Sequence, residues 1–247
     1  MKKTLHDIGI TYRYHKGNNQ KVVLLLHGWG GSLNSFRSLE SFLIDNGYST
    51  ITLDFPGFGG SDLPKEDWQL ADYVQIVVEL LKAENIDKTS IVCHSFGGRV
   101  AILLASEYPE LVEKLVFVDV AGIKPKFSLS KTLKIWKYKC LKTLKKIGLI
   151  KRDLSKYGSA DYKAMPDELK PVFNRIIVQD LSNHAKKIYA PTILIWGKQD
   201  RDTPLYMAKK LNKLIKDSAL IMFEGGHFAY LNHSQEFDII VDNFLSC

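Results

Sequence analysis

The chain has 247 residues, of which 45% are hydrophobic and 25% charged, with a formal net charge of +7. These proportions fit one globular domain and exclude a fibre, a repeat array or a disordered chain. No apolar run approaches the roughly 18 residues of a membrane-spanning helix. Three widely spaced cysteines, Cys93, Cys140 and Cys247, form neither a disulfide framework nor a zinc-ligand pattern.

From the N-terminus, Lys2-Lys3 runs into Asp7 and Gly9 before any apolar stretch of signal-peptide length develops, so a cytoplasmic location is expected. Val22–Leu26 is a short apolar run of the kind buried on both faces in a parallel sheet. It stops at His27-Gly28-Trp29-Gly30-Gly31, where glycines permit a tight turn and leave the Trp29 amide free as an oxyanion donor. Neither phosphate-loop pattern is present there. Further strands are predicted at 50–53, 90–93, 115–118, 192–196 and 219–223, with helices at 72–84 and 96–107 between them. Alternating strands and helices indicate an α/β sheet wound on both faces.

The alternation breaks between about 122 and 187, which reads as a helical cap. Within it Leu133, Trp136, Cys140, Leu144 and Ile147 are spaced to share one side of a helix, with lysines on the other. Residues 124–152 hold eleven Lys/Arg and no Asp or Glu, leaving the rest of the chain at a formal −4. The plain reading is a solvated face. A site for anionic substrates and association with an anionic lipid surface are the alternatives. Basic residues interleaved with exposed aromatics, as nucleic-acid binding requires, are not found, and no such partner is expected.

Ser95 lies between a buried strand and a helix, in Cys93-His94-Ser95-Phe96-Gly97-Gly98, a relaxed form of the G-x-S-x-G nucleophile elbow. The Phe96 amide at the helix start is the second oxyanion donor. A serine hydroxyl needs an imidazole base, and the imidazole needs an acceptor that fixes its tautomer. Asp200, in Gly197-Lys198-Gln199-Asp200, and His227, in Gly225-Gly226-His227, each follow a predicted strand and supply those roles. Asp202 and Asp119 are the alternative acids. His27 and His94 flank the site as loop-shaping or substrate-binding residues. Arg99 pairs either with a nearby acid or with a substrate carboxylate.

The stretches 27–31, 54–61, 93–98, 197–204 and 225–227, in that order, resemble those of the α/β-hydrolase superfamily, covering the chain from about residue 10 to its C-terminus. The resemblance implies an α/β fold: an eight-stranded, mostly parallel, doubly wound sheet with abbreviated first strands and a helical cap inserted after the sixth. Residues 1–121 and 188–247 would form the core and 122–187 the cap, in one structural unit. Asp54 and Ser61 fall in a loop motif that is structural in that family. The implied activity is a serine esterase that takes a small acyl substrate without metal or cofactor. A C–C hydrolase, or a lyase like that of the menaquinone pathway, which carries Ser-x-Gly-Gly-Arg as Arg99 does here, is the second reading. A non-catalytic small-ligand receptor is the third, and a serine in place of aspartate at 95 argues against a haloalkane dehalogenase.

Overall fold

The computed structural model describes residues 1–125 and 165–247, together with residues 141, 143, 147 and 149. Its strands are β1 (Lys2–Leu5), β2 (Ile8–His15), β3 (Val22–Leu26), β4 (Ser49–Leu53), β5 (Thr89–His94), β6 (Val112–Val118), β7 (Thr192–Gly197) and β8 (Ser218–Phe223). They form one sheet in the order β1-β2-β4-β3-β5-β6-β7-β8. The first two pairings are antiparallel and all the others parallel.

Side chains alternate across the sheet, as the two-residue period of a strand requires. Val23 and Leu25 of β3 join Val92, Val116, Ile193 and Ile195 in one core layer. Leu24 and Leu26 join Ile91, Leu115, Phe117 and Leu194 in the other. The first layer is closed by α1 (Arg37–Asp45), α7 (Ala229–Asn232) and α8 (Ser234–Ser246), through Leu39, Leu43, Tyr230, Phe237 and Val241. The second is closed by α2 (Leu70–Ala83), α3 (Phe96–Glu107) and α6 (Tyr206–Leu214), through residues such as Val77, Ile102 and Leu211. Each fully buried aliphatic side chain contributes about 2 kcal/mol. Two covered faces explain why the parallel strands read as continuous apolar runs.

Helix α3 matches its predicted span. Helix α2 begins two residues earlier than predicted, because Asp72 is not its cap residue but reaches back with Oδ2 to accept the Gln69 N–H at 2.6 Å. Of the first strands, only the four-residue β1 is abbreviated. At eight residues β2 is the longest in the sheet, and it joins β1 through a two-residue turn in which His6 and Asp7 take φ of 49° and 66°. Lys21 and Lys114 donate from Nζ to the last carbonyls of α8, supplying partners that a helix end lacks.

Between β6 and β7 the described residues include α4 (Lys170–Ile177) and α5 (Ser182–Ala185). Helix α4 buries Val172 and Ile176, and Arg175 ties it to the carbonyls of Glu66 and Trp68, both at 2.9 Å. Helix α5 packs on α3 and α6. The lysine-rich helix predicted before α4 lies outside the described residues, apart from three isolated positions that include Ile147. That side chain, expected on a buried face, is exposed in a turn closed by its N–H on Thr143 O. Among the described residues no helix is long and apolar enough to cross a membrane.

Candidate active site

The parallel strands end at one edge of the sheet, and the loops that leave β3, β5, β6, β7 and β8 meet there, where open α/β sheets bind ligands. Ser95 ends β5 and begins α3 at φ 48° and ψ −109°. A residue with a side chain in that region stores about 1–3 kcal/mol of strain. Both sides of the turn are held: Ser95 N–H donates to Val118 O at 3.2 Å, and Ser95 O accepts the Ala121 N–H at 2.9 Å. The following glycines are sterically required. A Cβ at Gly97 would stand 2.4 Å from Leu26 O, and one at Gly98 would stand 2.2 Å from the Val120 Cβ. Cys93, in the first small position, is fully buried, and burial pushes its thiol well up, away from the reactive thiolate form.

Asp200 and His227 are brought together from the loops after β7 and β8, with Nδ1 to Oδ2 at 2.8 Å. Asp200 Oδ1 accepts the N–H of Asp202 at 2.7 Å and of Thr203 at 3.0 Å, while the Thr203 hydroxyl lies 2.6 Å from Oδ2. Burial works against the charged carboxylate, but the hydrogen bonds from His227 and Thr203 outweigh it and hold Asp200 well below the usual range. With Nδ1 facing Asp200, His227 has Nε2 left for a second partner, and it lines the same cavity as Ser95. Asp202 contributes its amide to this turn, and its side chain is exposed. The sequence reading did not find Thr203. The signal was present as Asp-x-x-Thr, the spacing at which a carboxylate caps the amides that follow it.

Asp119, the other alternative acid, is beside this pair. Its Oδ1 accepts the Gly197 N–H at 2.9 Å, and its Oδ2 is buried without a partner. Burial first, with nearby Asp200 adding to it against the Gly197 hydrogen bond, pushes its pKa up to about 8. The two carboxyls thus sit in opposite protonation states at neutral pH. Ligand atoms of Asp119, Asp200 and His227 lie within 4.8 Å of one another, a spacing that could surround a cation. A cation bound through Nδ1 and Oδ2 would replace the hydrogen bond that joins His227 to Asp200.

Opposite them runs the 27–31 loop. It is pressed so close that a Cβ on Gly28 would stand 2.7 Å from His94 Nδ1 and 3.2 Å from Ser95 Cβ. Asp54 braces the chain beyond it, accepting the Leu33 N–H at 2.6 Å and the Gly60 N–H at 2.9 Å, while Ser61 Oγ donates to Asp54 O at 2.6 Å. The backbone amides of Trp29 and Phe96 have no acceptor among the described residues. Both residues line a cavity of about 510 Å³ together with Ser95, His94, Arg99 and His227. The Trp29 ring packs edge-on against Phe58 and Phe96 and tilted on Phe173 of α4, so one wall of the cavity is aromatic.

The two flanking histidines part company. His27 spends both ring nitrogens inside the protein, with Nδ1 2.7 Å from Gly28 O and Nε2 accepting the Phe55 N–H at 2.9 Å, and it does not line the cavity. Burial pushes its pKa down to about 4. His94 does line the cavity. Arg99 forms no ion pair with an acid among the described residues, although Asp180 is near enough to favour its charge. Its Nη1 donates to Ile176 O at 3.2 Å and Gln179 O at 3.1 Å, and Nη2 to Ile177 O at 3.0 Å, so the guanidinium caps the C-terminal end of α4.

A sequence model of the alpha/beta hydrolase fold matches residues 21–147. The chain is similar to the 2-hydroxy-6-oxo-6-phenylhexa-2,4-dienoate hydrolase of Burkholderia cepacia, with 28% identity covering 98% of this chain and 95% of the relative. It is also similar to the 2-hydroxy-6-oxononadienedioate/2-hydroxy-6-oxononatrienedioate hydrolase of Escherichia coli (strain K12), with 26% identity covering 98% and 94%. Among solved structures, the meta-cleavage product hydrolase from Pseudomonas fluorescens IP01 superposes with a TM-score of 0.75 at 22% identity, covering 100% of this chain and 97% of that one. An esterase from Exiguobacterium antarcticum superposes with a TM-score of 0.79 at 21% identity, covering 100% and 99%. These two likenesses are of fold.

Proposed function

The chain belongs to the α/β-hydrolase fold family, and from that premise we propose that it hydrolyses the carbon–carbon bond beside the carbonyl of a 2-hydroxy-6-oxodienoate. The observation that carries this reading is the near end-to-end similarity to hydrolases named for such compounds. A 2-hydroxy-6-oxo-6-phenylhexa-2,4-dienoate holds no ester, amide or other acyl–heteroatom bond, so water can divide it only between carbons. The sequence alone put an ester first, and the relatives favour the second reading.

The chemistry asks for what the cavity walls offer. Moving the hydroxyl proton from oxygen to C5 turns the dienol into a 2-oxo compound. In that form the electron pair released from the C5–C6 bond can spread through the chain to the oxygen on C2. His227 takes the Ser95 proton as Ser95 Oγ bonds to C6, Asp200 fixes the imidazole tautomer, and the Trp29 and Phe96 amides receive the negative oxygen. The C5–C6 bond then breaks, and His227 returns the proton to the departing dienolate. Water, deprotonated by His227, releases the acid from Ser95. Arg99 supplies positive charge for the substrate carboxylate: three of its five N–H groups are spent on the carbonyls of Ile176, Ile177 and Gln179, leaving Nε–H and one Nη2–H.

The test is to incubate the protein with 2-hydroxy-6-oxo-6-phenylhexa-2,4-dienoate and, separately, with p-nitrophenyl esters, using Ser95→Ala as control. Loss of the dienolate absorbance with release of benzoate, slowed about 10³-fold or more in the variant, is expected. Ester turnover with an untouched dienoate returns the assignment to an esterase. An unslowed Ser95→Ala removes the serine mechanism.

A further inference from the structure

His94 stands one residue before Ser95 and is 3% exposed, and the mechanism above gives it no task. Its Nε2 is 2.8 Å from the carbonyl oxygen of His227. A carbonyl can only accept, so Nε2 carries the ring proton and Nδ1 presents a bare lone pair. Burial, joined by the neighbouring His227, pushes the pKa of His94 down to about 3, so the ring stays neutral across the working range. Its position is fixed by rings on three sides, with centroids at 4.6 Å for His227, 5.0 Å for Phe228 and 5.3 Å for Tyr230.

No group among the described residues donates to Nδ1. Nor is Nδ1 among the sealed atoms without partners, which are Thr50 Oγ1, Asp119 Oδ2 and Asp238 Oδ1. It therefore opens on the cavity that His94 lines with Ser95 and His227. The absence of a Cβ at Gly28 keeps that opening, because a methyl group there would stand 2.7 Å from Nδ1. An oriented, neutral acceptor held open beside the nucleophile is poorly used until a donor fills it.

We propose that His94 determines substrate specificity, its Nδ1 accepting a hydrogen bond from a hydroxyl carried by the substrate. The proposal rests on the hydrolase reading of the site but not on which bond is broken. A pocket that hydrogen-bonds a substrate hydroxyl rejects analogues without it far more strongly than an apolar pocket rejects one methylene.

The test compares matched pairs that differ only in a free or methylated hydroxyl. One pair is 2-hydroxy-6-oxo-6-(2-hydroxyphenyl)hexa-2,4-dienoate and the methyl ether of its ring hydroxyl, since the 2-hydroxyl itself is consumed in forming the 2-oxo compound. The others are p-nitrophenyl esters of 2-, 3- and 4-hydroxy acids and their ethers. Wild type should favour the free hydroxyl in at least one pair by tenfold or more in kcat/KM. His94→Phe, which keeps a ring but no acceptor, should reduce that ratio below threefold. His94→Asn, which can both donate to His227 O and accept, should restore part of it. His94→Leu serves if His94→Phe does not fold. Turnover by wild type without a hydroxyl preference in any pair, or a preference that survives His94→Phe, overturns the proposal alone. A wild type inert toward both series overturns the hydrolase reading and this role with it. Ester turnover without dienoate turnover sinks only the C–C assignment.

Discussion

The two walls of the cavity are built on opposite terms. At the ends of β7 and β8, Asp200 receives the His227 ring, the Thr203 hydroxyl and two backbone amides. At the ends of β3 and β5, the Trp29 and Phe96 amides and His94 Nδ1 have no protein partner among the described residues. A carboxylate whose oxygens are all engaged keeps one position, so it can hold an imidazole in one orientation. A group left open in a cavity is where a ligand replaces water. One wall holds geometry and the other offers contacts.

The sharpest way to break this comparison is Asp200→Asn. An amide at that site can no longer accept from every donor now aimed at it, and it disfavours the His227 tautomer that the mechanism needs. A loss of about 10⁴ in kcat is expected. A loss under tenfold in steady-state assays would mean that the occupied wall does not orient His227. Gly28→Ala probes the open wall: its Cβ would stand 3.2 Å from Ser95 Cβ, displacing the loop that carries the Trp29 amide. About a 10²-fold loss is expected, because misplacement by about 1 Å costs that much, and a melting curve beside the assay separates it from unfolding.

The smallest effect concerns Asp119, the exception on the occupied wall, with its sealed and unpartnered Oδ2. Its pKa is about 8 in the fold, against about 4 in an unfolded chain. The native state therefore holds a proton that the unfolded state releases between those values. The stability tied to that proton is full below about pH 4 and is lost as pH rises through 8. Asp119→Asn keeps the neutral form, so its Tm should gain on wild type steadily from pH 5 to pH 8. The gain should reach several degrees, at about 2–4 °C per kcal/mol for a chain of this size. A constant Tm difference across that range would show that Asp119 is charged throughout.

The sequence carried some of this and not the rest, for reasons that differ by residue. Ser95, Asp200 and His227 were legible because each sits in a glycine-marked turn just past a strand, fully buried before Ser95 and Asp200 and partly exposed before His227. The β1–β2 hairpin was not, since His6-Asp7 lacks the glycine that usually marks a two-residue turn. Helix α1 was hidden for a related reason: its cap position is Phe36, whose side chain makes no capping bond. The state of Asp119 depends on its burial beside Asp200, 81 residues away, and the partners of Arg99 are carbonyls on a helix more than 70 residues downstream. No local pattern encodes either.

Arg99 acts as a rivet between the helix that begins just after Ser95 and the end of α4. Its pKa is lowered by burial, with Asp180 opposing, only to about 10, so the joint stays charged at neutral pH. That joint sets where a graft can be cut. A chimaera that takes its insertion from a relative but keeps residues 165–181 retains the fastening, the Phe173 wall and the Leu181 hydrogen bond to Gly122 O at 2.8 Å. One cut closer to β7 discards all three and leaves a buried guanidinium with nothing to hold.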